Sequence, residues 1–370
     1  MKPFDREALE RSAFHIRSNI VRTIASNGEG HAGGALSAAD ILAVLYFAVM
    51  DYDPEDPVHR DKLLLSGGHK CLALYGAMVE LGVLEPELLK TYNQLGTLFP
   101  GHPDATKLPC LDFSTGSLGH GLPLGCGYAL AARKAGLPYR TYVLMGDGEQ
   151  GEGTNWEAAA FAAHNHLDNL VAILDENTLQ INGRTSEICK PTSYESRYAA
   201  FGWAVRPVPG HDVGALYDAF AQIPLEPGKP TLLVAKTTKG KGISFLEDQQ
   251  KYHHWNPDAG EAARALFQAY PNRSVEVGIS EQTAVGISAA MARQGFIPVV
   301  VAIDPFLTMR AYEQIRDDVG YMHTNVKLVA SGGGLAYSTL GSTHMALEDV
   351  ALMRTVPNLV VLCPGDADEV

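Results

Sequence analysis

The 370-residue chain is short of cysteine, of basic residues and of long apolar runs. Its five cysteines, at 71, 110, 126, 189 and 363, are scattered and form no C-x-x-C pair. Such a set excludes a disulfide framework and a cysteine zinc site, and reads as thiols in a reducing compartment. Lysine and arginine number 29 against 42 acidic residues, a net charge of −13. That balance argues against broad nucleic-acid binding and against adsorption to an anionic membrane. Backbone N–H groups and histidines can still build a local anion site. The N-terminus MKPFDREALERSAFHIRSN has no apolar signal core. The longest apolar helix candidate, ALSAADILAVLYFAVM, carries Asp40 and is too short for a bilayer. No G-x-G-x-x-G opens a βαβ unit, which removes a nicotinamide-binding dehydrogenase. The expected setting is the cytoplasm.

What is present suits two globular domains: 46% hydrophobic and 19% charged residues. Residues 8–25 carry apolar positions at helical spacing, and a glycine-rich break, SNGEGHAGGALS, follows. Ser37 is the expected N-cap of the next helix, with Asp40 in the capping-box position. The runs DKLLLSGG, TYVLM, NLVAIL, GWAVRPV and PTLLVAKT read as strands separated by helical patterns. Continuously apolar strands alternating with helices predict an α/β fold, with a parallel sheet covered by helices on both faces. Ligands then sit outside the C-terminal ends of the strands. The polar stretch 246–266 marks a boundary, giving domains 1–256 and 257–370. The second repeats the pattern with IPVVVAI, VKLVASGGG and NLVVLC, but its set looks incomplete.

One carboxylate is in an awkward place. Asp147 follows the strand TYVLM directly and sits between Gly146 and Gly148. A charge at the end of a buried strand needs a partner. With twenty-eight residues between it and Gly148, Asn177 ends the next strand. Successive strands of one βαβ unit bring their C-terminal ends to the same edge, so Asp147 and Asn177 can meet. With a backbone carbonyl near Leu179 they make a hard-oxygen site suited to Mg²⁺ and a diphosphate.

Here the sequence resembles the thiamine-diphosphate enzymes, with their GDG, 25–30 residues, then N. It resembles the transketolase family most, in GDGEQGEGTNWEAAAFAAHNHLDNLVAILDENTLQINGRT. The resemblance implies the thiamine-diphosphate-binding fold, and metal ligands at Asp147, Asn177 and the carbonyl of Leu179, with Ca²⁺ or Mn²⁺ as substitutes for Mg²⁺. It places Gly148 at the cofactor. GEGHAGGALSAADIL, LLSGGHKCLALY and LFPGHPD resemble family segments that put histidines at His31, His69 and His102. STGSLGHGL resembles STGSLGQGL, whose backbone meets the cofactor around Gly116 and Leu118; His120 replaces the usual Gln. AKTTKGKGISFLEDQQKYHHWNP gives a last site histidine at His253, with His254 its alternative. Imidazoles suit such a place because they donate to phosphate and exchange protons near neutral pH.

VEVGISEQTAVGISAAM resembles FxVGIAEQxxVGxAAGL and places the cofactor-activating carboxylate at Glu281. In that family this acid bonds the aminopyrimidine ring and promotes the ylide that attacks a ketose. Glu152 matches the residue that pairs with it across a dimer interface. The resemblance therefore implies a homodimer with shared sites. DPFLTMRAYEQIR resembles TFLxFxxY, with Phe306 and Tyr312 on the pyrimidine pocket and Met309 replacing the middle aromatic.

The resemblance implies transfer of a two-carbon ketol unit from a ketose or ketose phosphate to an aldose. It also shows departures. Only about twenty residues separate HHWNP from EVGIS, where the family carries a linker and a first strand. A second polypeptide supplying missing segments is one reading of that gap. The family's THDSxxxGEDGPTHQ aligns without a gap to SGGGLAYSTLGSTHMALED. His344 is kept, the first histidine becomes Gly332, and the hydroxyl-binding Asp becomes Leu340. Two alternatives follow from these changes: a 2-oxoacid-decarboxylating carboligase of the deoxyxylulose-phosphate-synthase type, and a non-catalytic cofactor-binding paralogue.

Overall fold

A strand with no polar face is stable only between two layers, and the first of the chain's two units is built on that constraint. The computed structural model describes residues 1–189, 192–255 and 274–364. They divide into Met1–Ile279 and Ser280–Val370; the expected boundary between 256 and 257 lies outside the described residues.

The first unit runs α1 (Arg6–Asn27), α2 (Ala32–Val44), β1 (Lys62–Leu65), α3 (Cys71–Glu80), α4 (Gly121–Ala135) and β2 (Thr141–Gly146). It continues with α5 (Gly153–His164), β3 (Leu170–Glu176), β4 (Leu179–Gln180), β5 (Gly183–Arg184), α6 (Thr185–Ile188) and α7 (Tyr194–Ala200). It closes with β6 (Ala204–Pro209), α8 (Val213–Ala221) and β7 (Thr231–Lys236). Five strands form one sheet in the order β1-β2-β3-β7-β6, and every pairing in it is parallel.

Side-chain alternation divides the sheet between two cores. Leu65, Leu144, Val171, Ile173 and Leu233 pack with α1, α2, α3 and α8. Their neighbours Leu64, Val143, Ala172, Leu174 and Leu232 pack with α4, α5 and α7. The order reverses between β3 and β7, because the chain leaves β3 for the edge strand β6 and returns through α8. The crevice at such a reversal is where an open α/β sheet binds ligands.

Ser37 does not cap a helix, contrary to expectation. α2 begins at Ala32, and Ser37 lies inside it, donating to Asp175 Oδ2 at 2.6 Å. The apolar run 32–49 is 94% buried within this unit.

In the second unit α9 (Glu281–Arg293) is followed by β8 (Val299–Ile303), β9 (Lys327–Ser331) and α10 (Asp349–Met353). β8 and β9 pair in parallel, Val301 opposite Val329. NLVVLC does not join them as the expected third strand: residues 359–364 have no strand partner, and Val360 and Leu362 are exposed. An apolar run becomes a strand only where a neighbour completes its ladder.

Helix α4 approaches the sheet closely through Gly125, where an added Cβ would stand 2.4 Å from Val143 Cγ2. Gly125→Ala gains about 1 kcal/mol of helix propensity but overpacks a site whose cost is about 1–3 kcal/mol. The expected outcome in a urea melt is a lower midpoint at unchanged slope.

Candidate active site

The C-terminal ends of β2, β3 and β7 carry Asp147, Asp175 with Asn177, and Thr237 into one crevice. Both carboxylates are almost fully buried. Asp147 Oδ1 accepts from the Gly148 N–H at 2.9 Å, and Oδ2 from the Thr178 N–H at 2.6 Å. Asp175 pairs with the buried ammonium of Lys70 and accepts from Ser37, Thr237 and Asn177. Burial pushes the Asp175 carboxyl up, but the Lys70 charge and these hydrogen bonds outweigh it and hold it below the ordinary range. Asp147 goes the other way: burial and then the Asp175 charge push it well up, against the pull of Lys70 and Lys239.

The expected metal ligands come together. Asn177 Oδ1 accepts from the Leu179 N–H at 3.2 Å, across a turn in which Thr178 has φ +67°. The Leu179 carbonyl accepts from Lys239 Nζ at 2.9 Å. That lysine is buried, and burial lowers its pKa while Asp147 and Asp175 oppose the shift. Among the described residues no three His, Cys, Asp or Glu side chains converge as metal ligands. The expected set needs only one carboxylate, completed by an amide and a backbone carbonyl.

The expected histidines also converge. The His31 ring lies 5.7 Å from those of His69 and His102, 5.6 Å from His253 and 4.6 Å from His254. Burial, then the neighbouring imidazoles, keep His31 well below the ordinary histidine range. Its Nδ1 is buried and has no hydrogen-bond partner among the described residues. His253 Nδ1 stands 2.8 Å from Lys239 Nζ and accepts from it. The His253 proton therefore sits on Nε2.

Glycines let the surrounding loops close in. An added Cβ at Gly68 would stand 2.7 Å from the Gly116 nitrogen. At Gly119 (φ +85°) it would stand 2.6 Å from Glu152 Cβ, so Glu152 lies against the turn that carries Leu118. His120, the next residue, is exposed at the start of α4.

Sequence reasoning missed several residues of this crevice. Glu149 accepts from Ser66, from the Gly119 N–H at 2.9 Å and from the Gly146 N–H at 3.0 Å, tying three loops together. Lys70 and Lys239 escape it too, because nothing in their local pattern marks them as buried. A third feature is a network behind the crevice. His211 Nε2 accepts from the Thr238 N–H at 2.8 Å, so its proton is on Nδ1 and goes to Asp40 Oδ2 at 2.7 Å. Arg17 donates to the same carboxylate at 2.5 and 3.0 Å. The network fixes the strand end next to Lys239.

The second unit carries the other residues expected from the sequence, and they form a cluster of their own. Glu281 opens α9, and its Oε2 accepts from Arg310 Nη1 at 2.9 Å. The Arg310 guanidinium lies 4.5 Å from the Phe306 ring centroid, and Phe306 meets His344 edge-on at 5.0 Å. Glu281, Phe306 and His344 are thus joined through an arginine that the sequence did not single out. The Tyr312 hydroxyl is not in this chain of contacts; it bonds Thr355 Oγ1 at 2.6 Å. Asp304, at the end of β8, is pushed up to about 6 by burial and by Asp349, against the Thr308 hydrogen bond.

Comparisons with known proteins identify the family. The family model "Transketolase, thiamine diphosphate binding domain" matches residues 9–282, and "Transketolase, pyrimidine binding domain" matches residues 237–370. The chain is 41% identical over 271 residues to one of the subunits of an apulose-4-phosphate transketolase from Actinobacillus succinogenes, covering 72% of this chain and 98% of that one. It is 42% identical over 248 residues to one of the subunits of a 6-deoxy-6-sulfo-D-fructose transketolase from a Clostridium species, covering 66% and 90%. Human transketolase is 32% identical over 446 aligned positions, covering 97% of this chain and 70% of that one. Those positions outnumber the chain's 370 residues, so the human enzyme holds residues there with no counterpart here. The fold matches a Campylobacter jejuni transketolase with a TM-score of 0.66 at 23% identity, over 96% of this chain and 74% of that one. These matches do not favour the decarboxylating alternative.

Two outcomes test the crevice. Lys70→Met leaves Asp175 charged and unpaired, which costs about 3–5 kcal/mol; adding Asp175→Asn is expected to recover most of it in denaturant melts. Asp40 is held below the ordinary carboxylate range, since the His211 and Arg17 bonds outweigh burial. Its contribution is complete above the unfolded value of about 3.9 and is lost as pH falls through the lower folded value. Asp40→Asn is therefore expected to lose about 1.5–3 kcal/mol at neutral pH, and the gap to the parent protein to close in acid.

Proposed function

The chain belongs to the transketolase family, and we propose that it transfers a two-carbon ketol unit between sugar phosphates with thiamine diphosphate and a divalent cation, Mg²⁺ first, at Asp147. The observation that carries this is the convergence of Asp147, Asn177 and the Leu179 carbonyl beside five imidazoles at one strand edge. The residues fit the cofactor. The buried Nδ1 of His31 has no partner among the described residues, and the glycine loops already bring backbone close to backbone.

When bound, the cofactor supplies an acidic carbon that adds to a ketose carbonyl and an electron sink for the transferred fragment. The protein does the rest. Asp147, Asn177 and the Leu179 carbonyl hold the cation, and buried Lys239 adds a positive charge that suits a diphosphate. His31 and His253, which burial holds neutral, donate to substrate oxygens and carry protons together with His69 and His102. Arg310 holds Glu281 in one place, so that its carboxyl can bond the pyrimidine ring. Burial around the crevice excludes water.

A homodimer in the cytoplasm completes the proposal, with Glu152 of one copy meeting Glu281 of the other. Several relatives are named as single subunits of their transketolases, which supports a second polypeptide as the alternative partner.

Calorimetric titration with thiamine diphosphate, with and without Mg²⁺, tests the reading alongside exchange of the cofactor's C2 hydrogen. Metal-dependent binding that is lost in Asp147→Ala, with exchange that is lost in Glu281→Ala while binding stays, is the expected result. Binding without exchange in the parent protein would turn the reading to a non-catalytic paralogue.

A further inference from the structure

The family motif has a histidine where this chain has Gly332, and the structure shows what stands in its place. Gly332 follows β9 with φ +83°. A Cβ built there would lie 2.1 Å from Tyr337 Cε2 and 2.4 Å from Cδ2. The Tyr337 ring therefore fills the space into which any side chain at 332 would grow. The left-handed backbone is a second bar, since residues other than glycine are strained there. The histidine has been exchanged for a phenol from five positions further on, whose oxygen lies 3.4 Å from Ser331 Oγ.

The loop that carries Tyr337 is closed and built. Gly334 and Ala346 exchange both backbone hydrogen bonds, at 2.9 and 3.0 Å, and pin the two ends of the loop together. Within it stand Tyr337, Leu340 and His344, and His344 is buried against Phe306. Position 333 shows a similar exchange: Gly333 replaces the motif's acid, and its added Cβ would lie 3.1 Å from Asp304 Oδ2. The loop has thus lost its first histidine and the acid at 340, and what it presents there is an aromatic ring and an isobutyl group.

We propose that Tyr337 is a specificity-determining residue for the donor. With Leu340 it forms a neutral wall that favours a donor with few hydroxyls beyond the transferred unit over a polyhydroxylated ketose phosphate. Apolar walls reward the removal of hydroxyls, because a hydroxyl buried against them without a partner is penalised. The inference rests on the ketol-transfer reading above.

The test is kcat/KM for hydroxypyruvate, which leaves CO₂ behind when its ketol unit is transferred, and for xylulose 5-phosphate, which leaves glyceraldehyde 3-phosphate, each with ribose 5-phosphate as acceptor and with cofactor affinity and thermal midpoint followed alongside. The parent enzyme is expected to favour hydroxypyruvate. Leu340→Asp and Tyr337→Ala are expected to move the ratio of the two kcat/KM values toward the ketose phosphate by about tenfold each. Tyr337→Phe, which keeps the ring, is expected to move it less. A purely structural role would lower both donors together and leave the ratio alone. An active enzyme whose ratio stays within about twofold in all three variants, a change smaller than one lost contact makes, overturns this inference only. A parent enzyme that transfers from neither donor overturns the ketol-transfer reading and this inference with it.

Discussion

Everything in the first unit turns on two carboxylates buried side by side at the ends of neighbouring parallel strands. Asp147 and Asp175 follow or end β2 and β3, and the Asp175 charge is one of the causes that raise Asp147. Two negative charges cannot both be kept out of water without compensation. The chain answers for one of them completely: Lys70, Ser37, Thr237 and Asn177 all serve Asp175. Asp147 receives only two backbone N–H groups, and Lys239 reaches the neighbouring carbonyl. The asymmetry gives the two acids different work. Asp175 is a fixed post that organises the crevice, and Asp147 is left under-compensated where a cation would settle it.

The supporting structure follows from that need. Serving Asp175 draws α2 in through Ser37, the β1 loop in through Lys70 and the end of β7 in through Thr237. Those three segments also carry His31, His69 and Lys239, so one buried charge helps to gather two of the histidines and the second lysine. The same closeness explains the glycines at 68, 119 and 148, where side chains would strike backbone, Glu152 or Gln180. Behind them Asp40, held by Arg17 and His211, fixes the backbone at Thr238 and so the start of the Lys239 segment.

Much of this was legible because it is periodic or local. Continuous apolar runs named the strands, and β2 and β3, one βαβ apart, brought Asp147 and Asn177 to one edge. The residues that failed to announce themselves act across the chain. Ser37 looked like a cap because serine before an apolar run usually is one; its real partner is 138 positions away. Lys70 and Arg310 were not singled out, since a sequence window holds no sign of the acids they pair with. NLVVLC read correctly as apolar and β-prone, yet propensity makes no strand without a neighbour to bond.

That last case bears on how the candidate residues are supported within each unit. The five-stranded sheet has helices on both faces, so Asp147 and the histidines rest on a closed core. Among the described residues of the second unit the sheet has two strands, and Val299, Val301 and Val329 on it are exposed. Parallel sheets are stable when both faces are covered, and two strands alone are marginal. Glu281 and His344 therefore depend less on their sheet than on the contacts running Glu281–Arg310–Phe306–His344. A half held by a relay of side chains is more sensitive to each member than a half held by a core. Losing Arg310 would free Glu281 and loosen Phe306 together, whereas losing one imidazole from the first unit would leave the other four in their loops. The chemistry assigned to the carboxylate at 281 is accordingly the part of the site that rests on the fewest interactions.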